Sequence, residues 1–303
     1  LKLMTNFKVW ISSFRLRTLP LSISGIILGS ALAYSNQFFN TTIFVFALLT
    51  TISLQILSNL ANDYGDGVKG TDNNNRIGPE RAIQSGLISP QQMKHAIIIN
   101  VLVLIVLITT LLYFSFGTNE YLNLLVFFLL GIVSIFSAIK YTVGNKAYGY
   151  YALGDLFVLL FFGFLSVMGS YYLYAKGLEI NIIFPSLSIG LLSVAVINLN
   201  NMRDLVSDKL SNKITIAGKL GFNNSKKYHF FILIGSIVFS ILFILIFYYK
   251  PISLIVILSY IPIIIHLKKV YYITKPEHYN NELKKVAIST FVFSLIHSLI
   301  IIM

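Results

Sequence analysis

The chain has 303 residues, of which 56% are hydrophobic and 11% are charged, with a formal net charge of +12 and no cysteine. Soluble domains carry about 25% charged residues, so this composition excludes a soluble globular protein and indicates that the bilayer is the solvent. The lack of cysteine excludes disulfides and thiolate metal sites. The excess of Lys and Arg is typical of cytoplasmic loops in a membrane protein rather than of nucleic-acid binding.

Nine stretches of the sequence come close to the roughly 20 apolar residues that a membrane-spanning helix requires. We therefore expect an all-α polytopic membrane protein, with nine transmembrane helices that form one domain over residues 1–303. In chain order, the stretches are 18–35, 42–63, 95–115, 121–140, 150–174, 183–201, 229–249, 251–267 and 286–303.

The basic residues alternate with these spans. If the N-terminus is cytoplasmic, the stretches on the cytoplasmic side contain 21 of the 23 Lys and Arg, and only Lys176 and Lys250 fall outside. This distribution predicts a cytoplasmic N-terminus, an external C-terminus and a location in the inner (cytoplasmic) membrane of the cell. The cytoplasmic stretches are 1–17, 64–94, 140–149, 202–228 and 268–285.

Five of the six aspartates lie in two short stretches, 59–72 and 198–208, at the predicted cytoplasmic ends of the second and sixth spans. Residues four apart share a face of a helix, so the Asn and Asp side chains of each stretch can converge on one point. Their hard oxygens suit Mg²⁺, which combines one or two carboxylates with phosphate oxygens. The converging side chains are Asn62 and Asp66 in the first stretch, and Asn200, Asp204 and Asp208 in the second.

Two explanations of these acids compete. A single Asp at a helix end is best explained by solvation at the membrane interface, where a charge costs little. Two clusters of the same composition, on one side of the membrane and at helices four apart, instead indicate a repeated half. Carboxylates that converge repel one another, and a bound cation removes that repulsion. The pattern therefore favours a shared metal site that faces the cytoplasm.

Basic residues follow each acid cluster, and cations around metal-bound acids suit a diphosphate. Taken singly, each cation is better explained by the cytoplasmic excess of basic residues. The residues are Lys69, Arg76 and Arg81 after the first cluster, Lys209, Lys213 and Lys219 after the second, and Arg15, Arg17 and Lys146 elsewhere on this side.

The remaining polar residues carry weaker signals. Asp155 lies near the start of the fifth span, where it is either a helix N-cap or a substrate contact. The histidines show no metal-ligand spacing, which favours core or interfacial roles. The many Phe and Tyr residues could line a hydrophobic tunnel and stabilise a carbocation.

These features resemble the UbiA superfamily of intramembrane aromatic prenyltransferases over nearly the whole chain. The resemblance implies nine helices in two pseudo-repeated halves around a central cavity, with Mg²⁺ bridging two Asp-rich motifs and a prenyl diphosphate. The common first motif is Asn-Asp-x-x-Asp-x-x-x-Asp, whereas this sequence has Gly70 at the third acidic position and its next acid at Asp72. That spacing is similar to the 1,4-dihydroxy-2-naphthoate polyprenyltransferases of menaquinone biosynthesis. Further similar stretches are 15–20, 141–144, 148–150, 153–155 and 201–204.

The resemblance also assigns roles to individual residues. It implies that Mg²⁺, with Mn²⁺ as a substitute, is held by Asn62 and by four catalytic aspartates, Asp66, Asp72, Asp204 and Asp208. The residues implied to contact the diphosphate are Arg15, Arg81, Lys146 and Lys213. Asp63 would orient a ligand or bind the metal through water.

The implied reaction moves a polyprenyl group from polyprenyl diphosphate to 1,4-dihydroxy-2-naphthoate, with loss of CO₂, and gives demethylmenaquinone. The partners are the two substrates and membrane lipid, with no nucleic acid. The nearest alternative is the same transfer to another aromatic acceptor, such as 4-hydroxybenzoate. Phosphatidyl-transferring enzymes carry their acids in one continuous motif, unlike this chain. A more distant alternative is a cation-coupled transporter, whose acids would lie near the bilayer midplane.

Overall fold

The computed structural model describes residues 2–72 and 77–303, with side chains described from Phe7 onward within those ranges. These ranges contain eleven α-helices, several short 3₁₀ turns and no strand, apart from one isolated bridge between Tyr151 and Ile214. The helices are α1 (Lys2–Phe14), α2 (Leu19–Ser35), α3 (Thr41–Val68), α4 (Pro90–Phe116), α5 (Tyr121–Lys140), α6 (Gly154–Ala175), α7 (Ile183–Arg203), α8 (Leu205–Leu210), α9 (Ile216–Phe247), α10 (Ile257–Tyr272) and α11 (Tyr279–Ile302).

Nine candidate membrane spans occur in this described part of the chain, counted with their adjoining 3₁₀ turns. The first begins at Phe7 inside α1 and continues through α2, and only the short α8 lies wholly outside the spans. The chain is therefore an all-α polytopic membrane protein, which confirms the predicted class and number of helices.

Several helices extend further toward the acid clusters than the hydrophobic stretches predicted. Helix α3 continues to Val68 rather than to residue 63, and α11 starts at Tyr279 rather than at residue 286. Helix α9 starts at Ile216 and bends at Gly221, whose φ of 74° breaks the helical geometry. Hydropathy marks where the apolar surface stops, whereas backbone hydrogen bonding continues through polar turns.

The middle of α6, Leu159–Gly169, is a π-helix. Along α6, the residues that line the central cavity form two adjacent rows with a spacing of four positions. One row is Phe157, Phe161, Leu165, Gly169 and Leu173, and the other is Gly154, Val158, Phe162, Ser166 and Ser170. A row with this spacing drifts around a helix of 3.6 residues per turn. The π turn is wider than four residues, so a helix that mixes α and π turns repeats close to every fourth residue, and the same two rows of α6 face the cavity along the helix.

Helices α6 and α7 approach each other closely at two glycines. A Cβ at Gly163 would lie 2.7 Å from the carbonyl oxygen of Ser186 and 2.9 Å from the Cα of Gly190. Small residues permit such backbone contact in membranes, where helix association relies on close packing. This contact fixes the position of α6 against the helix that leads into the second acid cluster.

Helices from both halves of the chain enclose a central cavity of about 1140 Å³. Its walls come from α2 to α7 and α11, with α1 at one end. The predicted architecture of two halves around a cavity is therefore confirmed.

Three buried side chains link α9, α10 and α11 beside this cavity. His229 Nε2 lies 2.8 Å from His266 Nε2, and His266 Nδ1 lies 2.6 Å from Glu282 Oε2. None of the three lines the cavity, so these two histidines have the core role that their spacing predicted.

Candidate active site

The two acid clusters line one small polar cavity of about 20 Å³. About 10–15 Å³ is enough for one water molecule, so the space suits a small ion and its ligands. Four of the side chains, Asp66, Arg81, Asn200 and Lys213, also line the central cavity, which makes the two spaces neighbours. The remaining walls of the polar cavity are Thr71, Asp72, Asp204, Ser207 and Asp208.

Gly70 explains how Asp72 reaches Asp66. Helix α3 ends at Val68, and Gly70 has a φ of 72°, a left-handed conformation that glycine adopts without strain. The chain then folds back, and the backbone N–H groups of Thr71 and Asp72 donate to the carbonyl oxygen of Asp66 at 3.0 and 3.4 Å. The unusual spacing of the motif therefore still places its two acids side by side.

We predict that Gly70→Val lowers the activity and the apparent Mg²⁺ affinity more than Gly70→Asn. A left-handed conformation costs a residue with a Cβ about 1–2 kcal/mol, and Asn tolerates it better than a β-branched residue. Space is not the cause, because a Cβ at Gly70 would meet no described heavy atom within 4 Å. Initial rates over a Mg²⁺ titration measure the difference, and equal losses in both variants would show that the turn does not matter.

Arg81 joins the two acids of the first cluster. Its NH1 atom lies 3.0 Å from Asp66 Oδ2 and 3.1 Å from Asp72 Oδ2, and it donates to the carbonyl oxygen of Asn62 at 2.7 Å. Burial opposes the charge of Arg81, but the two carboxylates outweigh it and raise the pKa of the guanidinium. Arg81 is therefore a fixed cation at the rim of the polar cavity.

Asp63 holds the segment that carries Arg81. Its carboxylate accepts hydrogen bonds from the backbone N–H groups of Ala82 and Ile83 at 3.3 and 3.4 Å. The sequence predicts that Asp63 orients a ligand. In the structure, Asp63 orients the backbone segment that carries Arg81.

Tyr150 is a site residue whose role the sequence did not predict. Its hydroxyl donates to Asp66 Oδ1 at 2.8 Å and lies 2.7 Å from Thr71 Oγ1, while Lys69 Nζ lies 4.0 Å from the ring centre. Burial and the Asp66 carboxylate raise the pKa of Tyr150, so its hydroxyl keeps its proton and serves as a donor. The bridge between Tyr151 and Ile214 ties this loop to the one that carries Lys213.

The second cluster lies where α7 ends and α8 begins. Asp204 is the junction residue, and Arg203 donates to it from Nε at 2.8 Å and from NH2 at 2.6 Å. Arg203 NH1 also donates to Asn280 Oδ1 at 2.9 Å, which connects this cluster to α11. Arg203 and Asn280 both line the central cavity.

Asp208 and Lys213 form a buried pair next to the first cluster. Lys213 Nζ lies 3.2 Å from Asp208 Oδ1, while Asp208 Oδ2 has no hydrogen-bond partner among the described residues. Burial raises the pKa of Asp208 to about 6, an effect that Lys213 reduces. Burial opposes the charge of Lys213 in turn, but the carboxylates of Asp208 and Asp66 raise its pKa above the usual range.

The donor set fits Mg²⁺. Every candidate ligand offers an oxygen, and Asp208 Oδ2 is a buried carboxylate oxygen turned to no described partner. No group of three His, Cys, Asp or Glu side chains in the described part of the chain is arranged to hold a metal ion by itself. Instead Arg81, Arg203 and Lys213 each neutralise a neighbouring acid. Such a set suits an ion that takes one or two carboxylates and completes its shell with phosphate oxygens and water.

Of the other predicted site residues, some line the central cavity and some do not. Asn62 and Arg15 line the central cavity, and Asn62 Oδ1 accepts from Thr142 Oγ1 at 3.3 Å. Lys146 is exposed and lines neither cavity, because the loop turns at Gly144, whose φ is 89°. The predicted diphosphate contact of Lys146 thus has no support in this geometry. Arg76 lies outside the described residues.

Asp155 is neither the N-cap of α6 nor a residue of the cavity wall. The N-cap is Leu153, and Asp155 Oδ2 accepts a hydrogen bond from the hydroxyl of Tyr228 at 3.0 Å. The N-cap role is therefore wrong, and the predicted substrate contact has no support in this geometry. The carboxylate instead links α6 to α9, a contact between distant segments that has no local sequence signal.

The central cavity changes from polar to apolar with depth. Near the polar cavity it is lined by charged residues, and further in by aromatic and aliphatic side chains. The aromatic residues in its wall are Phe127, Tyr141, Tyr148, Phe157, Phe161 and Phe162. The ring of Tyr148 stacks on Phe157 with centroids 4.0 Å apart, so the expected aromatic lining is present.

The fold and this site define a polytopic membrane protein with an acidic, metal-compatible pocket at the mouth of a long apolar cavity. Comparison with known proteins assigns it: the chain belongs to the UbiA prenyltransferase family, whose model matches residues 22–295. It is accordingly a prenyltransferase.

Bacterial relatives are similar over most of the chain. A 1,4-dihydroxy-2-naphthoate octaprenyltransferase from Escherichia coli is 47% identical over 78% of this chain and 76% of the relative. One of the same name from Haemophilus influenzae is 45% identical over 74% of this chain and 73% of the relative. A solved UbiA homologue from Archaeoglobus fulgidus, bound to DMAPP and Mg²⁺, has the same fold, with a TM-score of 0.62 and 15% identity over 94% of this chain and 98% of that one.

Proposed function

We propose that this enzyme transfers a polyprenyl group from polyprenyl diphosphate to 1,4-dihydroxy-2-naphthoate in a Mg²⁺-dependent reaction that releases CO₂. One observation carries the proposal: two acid clusters and two buried cations line a polar pocket that adjoins a long apolar cavity. This arrangement suits a substrate with a diphosphate head and a hydrocarbon tail. The names of the bacterial relatives supply the acceptor.

The aspartates of both clusters are the proposed metal ligands. Asp66 and Asp72 approach from the end of α3, and Asp204 and Asp208 approach from the start of α8. Asn62 lies one helical turn before Asp66 and completes the predicted set. Bound Mg²⁺ would neutralise the charge that develops on the departing diphosphate.

Arg81 and Lys213 are the proposed diphosphate contacts beside these acids. Both are buried cations whose side chains line the polar and the central cavities together. Charge-assisted hydrogen bonds to phosphate oxygens are among the stronger polar contacts in proteins. Arg15 lines the same end of the central cavity and would approach the diphosphate from the turn that follows α1.

The apolar part of the cavity would hold the prenyl chain and keep water from the reacting carbon. Ionisation of the allylic C–O bond leaves a carbocation, which aromatic faces stabilise. The stacked pair Tyr148 and Phe157 lies in the cavity wall, and Tyr141 packs against Tyr148 with centroids 5.4 Å apart. Burial raises the pKa of Tyr141 to about 12, so this ring remains a neutral phenol.

The acceptor would enter from the cytoplasmic mouth and present its electron-rich ring to the cation. Arg203 is the proposed contact for its carboxylate, because the guanidinium lines the central cavity and is fixed by Asp204 and Asn280. The ring carbon that bears the carboxylate forms the new C–C bond, and the carboxylate then leaves that carbon as CO₂. The electron pair of the broken bond restores the aromatic ring, so no base is needed. The product is demethylmenaquinol, the reduced form of demethylmenaquinone.

A comparison of acceptors tests this function. Purified protein is supplied with Mg²⁺, octaprenyl diphosphate and dihydroxynaphthoate labelled in its carboxyl group. We expect one labelled CO₂ for each prenylated ring and a much lower kcat/KM with 4-hydroxybenzoate, which lacks the second hydroxyl and the fused ring. A preference for hydroxybenzoate, or a product that keeps its carboxyl label, would overturn the acceptor and leave the prenyltransferase family in place.

We also propose that the enzyme lies in the inner membrane of the cell, with its N-terminus and active site at the cytoplasmic side. The distribution of 21 of 23 basic residues on one side supports this orientation. Reporter fusions after Lys94 and Ser225 should give cytoplasmic signals, and a fusion after Met303 should give an external one. A cytoplasmic signal from the Met303 fusion would contradict the proposed topology.

A further inference from the structure

Four buried polar side chains form a continuous series of hydrogen bonds across α7, α9, α10 and α11. Asn198 Nδ2 of α7 lies 3.2 Å from the carbonyl oxygen of Ser225 and 3.3 Å from His229 Nδ1, both on α9. His229 Nε2 lies 2.8 Å from His266 Nε2 on α10, and His266 Nδ1 lies 2.6 Å from Glu282 Oε2 on α11. We call Asn198, His229, His266 and Glu282 the polar relay. Ionisable side chains inside a membrane protein are costly, which indicates that they serve a function.

The hydrogen-bond partners assign the proton of each ring in the polar relay. The amide of Asn198 directs its N–H bonds at Ser225 and His229, because the reverse orientation would set two carbonyl oxygens against each other. His229 therefore carries its proton on Nε2 and donates to His266, which carries its proton on Nδ1 and donates to Glu282. Both rings are neutral, and every contact pairs one donor with one acceptor. A fully satisfied series of this kind specifies one position for each helix that it joins.

Both ends of the polar relay lie next to residues of the central cavity. Asn198 is five positions before Arg203 in α7, and Glu282 is two positions after Asn280 in α11. Arg203 NH1 donates to Asn280 Oδ1 at 2.9 Å, and both of these side chains line the cavity, whereas no member of the relay does. The relay and this hydrogen bond therefore close a ring of contacts through the four helices.

The direction of the Arg203 guanidinium depends on where α11 lies. Its other side-chain partners, Asn200 and Asp204, are at the end of α7 itself. Among the described residues, Asn280 is the hydrogen-bond partner that Arg203 has on another helix. A shift of α11 would therefore redirect the guanidinium, while Asp204 keeps its local contacts.

We propose that the polar relay consists of positioning residues for the acceptor, which hold α11 so that Asn280 aims Arg203 at the acceptor carboxylate. This inference rests on the proposed function, in which Arg203 contacts the carboxylate of dihydroxynaphthoate. Arg81 and Lys213, the proposed diphosphate contacts, have no hydrogen bond to α11 among the described residues. Loss of the relay should thus weaken use of the acceptor and spare use of the donor.

Removal of one member of the relay tests this separation. We expect His229→Leu and His266→Leu each to raise KM for dihydroxynaphthoate by about tenfold. KM for octaprenyl diphosphate and the Mg²⁺ dependence should be unchanged. His229→Gln should restore most of the acceptor KM, because Gln has an N–H donor near the position of Nε2. Glu282→Gln keeps the size of the side chain and an acceptor oxygen, so it should fold and give a smaller shift in the same direction.

A double variant tests whether the residues act in series. One broken link interrupts the whole relay, so His229→Leu combined with His266→Leu should give the same acceptor KM as either single variant. Asn280→Ala should reproduce the shift, and His229→Leu should add nothing to it, because the relay acts through Asn280. Losses that multiply in these combinations would overturn the proposal.

His297→Leu is the matched control for a purely structural effect. His297 is buried in α11 and contacts Ser240 of α9, whose hydroxyl lies 2.7 Å from that of Tyr260 on α10. This second cluster joins the same three helices 15 positions further along α11 than Glu282, which is about 22 Å. We expect His297→Leu to lower the thermal stability of the protein while KM for the acceptor stays at the wild-type value.

An acceptor KM that rises equally in His297→Leu and His229→Leu would overturn the positioning role, because loosened packing would explain both. An unchanged acceptor KM in every relay variant, or donor and acceptor KM values that rise together, would overturn it as well. Failure of the proposed function has a different signature. In that case wild-type protein would give no prenylated product from dihydroxynaphthoate, and both proposals would fall together.

Discussion

Asp66→Asn and Asp208→Asn should each lower kcat for prenyl transfer by about a hundredfold or more, while the protein still folds and inserts into the membrane. Asn keeps the size of Asp and a hard oxygen but removes the negative charge. Loss of a charged ligand weakens the hold on a divalent cation. Removal of a single electrostatic contact to a transition state commonly costs about a hundredfold to a thousandfold in rate.

The two positions are informative together because they come from different halves of the chain. Asp66 receives hydrogen bonds from Arg81 and Tyr150, and Asp208 is paired with Lys213. If both hold the same metal-bound diphosphate, the two variants should show similar losses and a similar increase in the Mg²⁺ concentration needed for half-maximal rate.

Glu277→Gln is the matched control for these variants. Glu277 is an exposed carboxylate near the start of the last span, outside both cavities. We expect wild-type turnover from it. Near-normal turnover in Asp66→Asn or Asp208→Asn would mean that the clusters are solvated helix ends.

Lys213→Met should lower kcat/KM for octaprenyl diphosphate by about a hundredfold. Met keeps the length of the side chain and removes the ammonium group, which is buried between Asp208 and the central cavity. A buried hydrogen bond to a charged group contributes about 1.5–3 kcal/mol, which is about tenfold to a hundredfold or more in an equilibrium. Steady-state kinetics with varied octaprenyl diphosphate measure the loss.

The Mg²⁺ dependence separates this variant from the aspartate variants. Loss of Lys213 leaves Asp208 without its cation, so the apparent Mg²⁺ affinity should be maintained or increase while kcat/KM falls. Lys209→Met, at an exposed position four residues before Lys213 and outside both cavities, should behave as wild type. Equal effects at Lys209 and Lys213 would indicate a general loss of surface charge.

The sequence was sufficient for the fold because the membrane limits the alternatives. A spanning segment must satisfy its backbone internally, so nine apolar stretches predict nine helices. The meeting of the two acid clusters was also predictable, since both lie on the same side at equivalent helices of two halves. Helix ends were less predictable: the polar turns that α3, α9 and α11 add beyond their apolar stretches leave no trace in hydropathy.

The parts of the site that depend on loops were not predictable. Tyr150 reaches Asp66 only because its loop pairs with the one that carries Lys213, a contact between residues far apart in sequence. Lys146 shares that loop, but the turn at Gly144 leaves it exposed. A motif predicts which residue types are present, whereas the direction of each side chain depends on turns that only the folded chain defines.

Binding of a non-reactive prenyl thiodiphosphate tests most directly whether both clusters build one metal-dependent diphosphate site. Calorimetry would compare wild type, Asp66→Asn, Asp208→Asn and the double variant, each with Mg²⁺ and with a chelator. We expect tight binding only in wild type with Mg²⁺, large losses in both single variants, and a double variant little weaker than either, because residues of one site do not act additively. Binding that is equally tight with the chelator, or losses that simply add, would contradict a shared site.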